Sequence, residues 1–141
     1  MDNILFKKRW QDSDLINLEI FAISELVSAK QTCNVSASVL HEAGEKIVKY
    51  AEKGSKDAYI EFGHKEGKYA AAFSMKYLAP NATGHMKIEV DLEVEDIDDR
   101  SHRCCYFING ELGAVGRFGN KIIELCEKST GTEISLFELD W

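Results

Sequence analysis

The chain has 141 residues, 45% apolar and 29% charged, a balance found in globular domains and not in disordered or collagenous chains. Twenty-four acidic against 17 basic residues give a net charge of −7, which repels a phosphate backbone and sets the expectation of no direct nucleic-acid binding. No run reaches the roughly 18 apolar residues of a membrane helix, and the polar start Met1-Asp2-Asn3 before Lys7-Lys8-Arg9 lacks the apolar stretch of a secretory signal. The expectation is a cytoplasmic protein with no membrane partner, folded as one domain over residues 1–141.

In chain order, residues 15–27 alternate Ile16, Leu18, Ile20 and Ala22 against Asn17, Glu19, Phe21 and Ile23, the period of a strand. A second extended stretch over residues 30–37 lies close enough to pair with it as a hairpin. Ser38 is the predicted N-cap of a helix whose apolar positions Leu40, Ala43, Ile47, Val48 and Ala51 recur at three and four residues until Gly54 stops it. Gly44 inside this helix costs about 1 kcal/mol relative to alanine, so packing must hold it. Ala58, Ile60 and Phe62 then form a hairpin with residues 69–78 across the turn at 64–68.

Pro80, the only proline, breaks the chain before Met86, Ile88, Val90, Leu92 and Val94, which alternate with charged residues in the clearest period-two segment. A loop over residues 96–101 leads into a last long strand over 102–109, with Cys104, Tyr106 and Ile108 opposed to Cys105 and Phe107. Residues 112–128 carry Leu112, Val115, Phe118, Ile122, Leu125 and Cys126 on one helical stripe. The tail from Thr132 to Trp141 either adds a short strand or covers the core. The predicted fold class is α+β: a mainly antiparallel sheet of about six strands with two amphipathic helices, in the order ββαββββα.

Catalytic signatures are missing from the sequence. His41, His64, His85 and His102 are isolated, with no HExxH pair and no adjacent nucleophile motif. Cys33 and Cys126 fall among apolar residues and read as buried thiols. Cys104 and Cys105 point to opposite faces of a strand and cannot share a tetrahedral metal site. Gly113, Gly116 and Gly119 match no phosphate loop; on a helix they form a flat track for close approach of a neighbouring strand. No catalytic residue, metal ligand or cofactor is expected.

Charge is concentrated in one place. Residues 85–99 hold seven carboxylates (Glu89, Asp91, Glu93, Glu95, Asp96, Asp98 and Asp99) and one Lys87, a sum of −6 that leaves only −1 for the other 126 residues. Side chains two apart on a strand share a face at about 6.5–7 Å, so Glu89, Asp91, Glu93 and Glu95 form a row. Such a row either keeps an edge strand solvated and unpaired, or steers a basic partner onto the surface. A calcium loop would need a glycine that Asp96, Asp98 and Asp99 lack.

Taken together, Cys33-Asn34-Val35, Ile47-Val48-Lys49-Tyr50, Tyr59-Ile60-Glu61-Phe62, Phe73-Ser74-Met75, the strand from Gly84 to Val90 and the closing segment from Arg117 to Cys126 resemble the immunity proteins of wall-associated polymorphic toxins, the WapI type. The similarity spans residues 15–128 and rests on element order and apolar pattern. It implies a non-enzymatic protein that binds the C-terminal domain of a contact-delivered bacterial toxin, often a nuclease, and blocks it inside the cell. On the charge argument, the seven carboxylates would then be the partner-binding residues, set against the cations a nuclease presents to its substrate. The alternatives are a small-ligand sensor or adaptor domain, which needs a hollow under the helices, and a carboxylate-based hydrolase or metal enzyme, which needs convergent side chains.

Overall fold

A computed structural model describes residues 2–54, 56–62, 72–94 and 102–138. The chain runs β1 (Asn3–Gln11), β2 (Ile16–Ile23), β3 (Ser28–Val35), α1 (Ala37–Lys53), β4 (Ala58–Phe62), β5 (Ala72–Tyr77), β6 (His85–Val94), β7 (His102–Glu111), α2 (Leu112–Leu125) and β8 (Glu133–Ser135). The α+β class holds, but the expected six strands are eight, in two four-stranded antiparallel sheets ordered β3-β2-β1-β8 and β4-β5-β6-β7. The additional strands are β1, whose charged stretch Lys7-Lys8-Arg9 obscures its alternation, and the three-residue β8, which pairs with β1.

Each sheet turns one apolar face inward, and both faces join one buried cluster. Ile4 and Phe6 of β1, Leu18 and Ile20 of β2, Met75 of β5, and Ile88 and Val90 of β6 are all fully buried. Phe6 links the layers: its ring lies 6.1 Å from Phe62 and 6.2 Å from Phe73 in the second sheet, and 5.3 Å from Phe118 on α2, all edge to face. Polar ties fix the sheets to each other. The Tyr106 hydroxyl donates to the Ala22 carbonyl at 2.7 Å, and the Gln31 amide donates to the carbonyls of Ala72 at 2.9 Å and Glu93 at 3.3 Å.

The N-cap of α1 is Ser36 and not Ser38. Its hydroxyl accepts from the Val39 N–H at 3.2 Å, leaving Ser38 one residue inside the helix. Gly54, at φ 59°, ends α1 by donating its N–H to Tyr50. Helix α2 stops at Leu125, three residues short of the predicted Lys128.

The glycine track also meets a different neighbour from the one predicted. Gly116 and Gly119 face α1: a Cβ on Gly119 would stand 2.9 Å from Val48 Cγ2 and 3.0 Å from the Gly44 carbonyl oxygen, and one on Gly116 would stand 3.3 Å from Ala51 Cβ. The small residues therefore let two helix backbones meet. Gly113 lies on the exposed side of α2.

The C-terminal end of α2 is closed by a residue from the far end of the chain. Lys8 is fully buried, continuing the inward series Ile4 and Phe6, and its ammonium donates to the Cys126 carbonyl at 3.2 Å, the Lys128 carbonyl at 2.8 Å and Gln11 Oε1 at 2.6 Å. Carbonyls past the last turn of a helix have no intrahelical partner, and Lys8 supplies one with favourable charge for the negative end of the dipole. Burial lowers its pKa, against the raising effect of Cys126 and Glu127.

Candidate interaction face

Strand β6 is interior to its sheet, between β5 and β7, so guarding a sheet edge is not the task of its charged side. Its register fixes what stands beside each carboxylate on the outer face. Glu89 lies between Lys76 of β5 and Phe107 of β7, Asp91 between Ser74 and Cys105, and Glu93 between Ala72 and Arg103. Strand β4 adds Tyr59 and Glu61 to the same face, opposite Lys76 and Ser74.

The three described carboxylates of the row are not equivalent. Asp91 is only 6% exposed and accepts a forked pair from Arg103, with Nη2 at 2.6 Å and Nε at 3.1 Å from its oxygens. This is the two-point geometry that planar guanidinium favours, and the paired carboxylate raises the pKa of Arg103. Glu89 and Glu93 are half-buried and have cationic cross-strand neighbours in Lys76 and Arg103. Glu95, Asp96, Asp98 and Asp99 lie outside the described residues. Over the described part of the face, Glu61, Glu89, Asp91 and Glu93 are set against Lys76, Lys87 and Arg103, a mixed surface and not a uniformly negative one.

Two large aromatic side chains border the carboxylates. Phe107 is 48% exposed, with the Lys87 ammonium 6.0 Å from its ring centre, and Tyr59 is 44% exposed, its hydroxyl donating to Glu61 at 2.6 Å. Partial burial, followed by the bond to Glu61, raises the Tyr59 phenol above its ordinary pKa. Sequence reasoning had no route to Tyr59, Lys76 and Arg103 as members of this face. The alternation within β7 does place Arg103 with Cys105 and Phe107, but only the register sets them beside the acidic row.

Elsewhere the titratable groups are dispersed. Among the described residues no three His, Cys, Asp or Glu side chains converge to hold a metal ion. His41 Nδ1 lies 2.8 Å from Glu45 on the exposed side of α1, and His85 bonds Thr83 at the start of β6. His85 pairs with Glu111 and His102 with Val94, which puts the two histidines at opposite ends of one hairpin. Burial pushes the Cys33 thiol up to about 12 and raises Cys126 as well, which disfavours their thiolate forms, while Cys105 is exposed. Among the described residues no helix is long and apolar enough to cross a membrane. Comparison with protein-family models, with curated proteins and with solved structures finds no match.

Proposed function

We propose that this two-sheet α+β protein is a non-enzymatic binding protein that docks a basic protein through the outer face of the second sheet. The observation that carries this reading is the placement of half-buried Glu89 and Glu93 on a central strand, with Glu89 in the same cross-strand row as the exposed rings of Phe107 and Tyr59. Aromatic anchors give a docking surface contact area at low entropic cost, and carboxylates beside them select cationic partners and speed encounter. The Asp91–Arg103 fork holds the middle of the surface in one geometry, so Glu89 and Glu93 are the carboxylates offered to a partner. The resemblance to toxin-immunity proteins supports the more specific form of the reading: the partner is the catalytic domain of a contact-delivered toxin, and docking covers the cations with which it would grip its substrate.

The test is co-expression with the product of the reading frame immediately upstream of this chain's own, which the proposal expects to encode a toxin domain. The chain is expected to restore growth and to co-purify with that domain. Glu89→Gln/Glu93→Gln is expected to weaken the complex about tenfold and to flatten its salt dependence, and Phe107→Ala to weaken it at all salt concentrations. Absence of growth rescue refutes the toxin-neutralising role; unchanged affinity in both variants refutes the face.

A further inference from the structure

A second surface differs from the first in charge and in backbone chemistry. Strand β4 is the edge of its sheet, and α1 runs beside it, leaving two adjoining hollows of about 240 and 340 Å³ that share Lys46 and Tyr59 in their walls. Lys46, Lys49, Lys53 and Lys56, all exposed, line the larger hollow, with Asp57 the one carboxylate among the described residues of its wall. In a chain of net charge −7, four ammonium groups against one carboxylate make this a local reversal of sign. The opposite end of the trough is more apolar, walled by Val39, Ala43 and Phe62 together with Glu42 and Glu61.

The backbone of β4 is turned toward this trough. The Lys46 ammonium donates to the Tyr59 carbonyl at 3.1 Å, so that carbonyl points away from β5. The N–H and C=O of one strand residue point to the same side and alternate along the strand, which gives Glu61 the same direction as Tyr59. Among the described residues no strand pairs with this side of β4. Lysine beside an unpaired edge discourages pairing with neutral or basic strands, while an acidic strand would draw the Lys46 ammonium from the Tyr59 carbonyl to its own carboxylates and pair with the backbone so released.

We infer that the trough between α1 and the free edge of β4 receives an extended acidic peptide, which adds to the sheet as a fifth strand. Its carboxylates lie toward Lys49, Lys53 and Lys56, and its apolar residues toward Val39 and Phe62. This surface adjoins the proposed basic-partner face and shares Tyr59 and Glu61 with it, but it is of opposite charge, and neither reading depends on the other.

The probe is a short fluorescein-labelled peptide, glutamate-rich in one half and valine-rich in the other, titrated with the full chain and followed by anisotropy. Binding is expected to weaken with added salt and to fall about tenfold in Lys49→Glu/Lys53→Glu, whose fold is checked by circular dichroism. Lys49→Gln/Lys53→Gln is the milder second variant, with an intermediate loss expected. The same peptide methylated on alternate backbone nitrogens keeps its charge and loses strand pairing, and is expected not to bind. The proposal is overturned if the methylated peptide binds as well as its parent, if a single-stranded RNA of equal charge binds as tightly, or if the parent peptide shows no binding up to millimolar protein.

Discussion

Replacing Gly44 by alanine tests the contact between α1 and α2, and the structure reverses the sign that helix propensity alone would give. Propensity favours alanine by about 1 kcal/mol in a helix interior. A Cβ on Gly44, however, would stand 2.7 Å from Ile123 Cγ1 and 2.8 Å from the Gly119 carbonyl oxygen. Neither is the free end of a long side chain, so relief requires the two helices to separate, and overpacking of this kind costs about 3 kcal/mol where the obstacle is backbone. The net loss is about 2 kcal/mol, a fall in Tm of about 6–10 °C for a chain of this size. Gly113→Ala is the control on the same pair of helices. Its Cβ would meet only Arg117 Nη1 at 3.3 Å and Glu111 Oε1 at 3.6 Å, both tips of flexible side chains, so a small gain of about 0.5 kcal/mol is expected near the helix end. Urea and thermal unfolding of both variants, read by circular dichroism, make the comparison. Gly44→Ala as stable as the parent would refute the close approach of the helices.

Lys8→Ala strands the carbonyls of Cys126 and Lys128 without their donor, and is expected to cost about 2–3 kcal/mol and to speed hydrogen exchange in the last turn of α2; unaltered exchange there would argue that Lys8 does not cap the helix. Alkali should unfold the protein cooperatively. Burial holds Tyr50 and Tyr106 up to about 12 and Tyr77 higher still, and Cys33 up to about 12, so their contribution is intact below the unfolded values near 9 and 10 and is lost as pH rises through the folded ones. Lys8, with its lowered pKa, works the other way: the stability it contributes rises as pH approaches 10.5, one group against four. Phenolate absorbance should therefore lag behind that of free tyrosine and then rise together with loss of structure; titration of every tyrosine near 10 in the folded protein would contradict this. Arg103→Gln leaves the buried Asp91 carboxylate without its fork and should destabilise the protein more than Glu89→Gln does, a difference that chemical denaturation would detect.

Where alternation was clean, the sequence was enough. Strands β2, β6 and β7 follow their period-two patterns, and the stripe from Leu112 to Leu125 does lie on the buried side of a helix. Strand β1 escaped because Lys8 occupies an inward position that an apolar pattern would assign to a hydrophobe, and only the end of α2, over one hundred residues away, explains it. The target of the glycine track escaped for a similar reason: sequence shows that a backbone can be approached, not which element approaches it. For the candidate site, the common face of Glu89, Asp91 and Glu93 was legible from spacing alone. The cations that temper it were not, because Lys76 and Arg103 arrive by register across neighbouring strands.

Strand β1 lies between β2 and β8, and the Asn3 side chain clasps the far end of the chain, donating to the Phe137 carbonyl at 3.1 Å and accepting the Phe137 N–H at 2.9 Å. During synthesis, the first hairpin can form early on the ribosome. One flank of β1 nevertheless stays open until the segment from Glu133 to Phe137 has emerged, so completion of the first sheet is a late, long-range event. A nascent chain stalled before that point would expose an unpaired strand next to Phe6, and would be the form most in need of a chaperone.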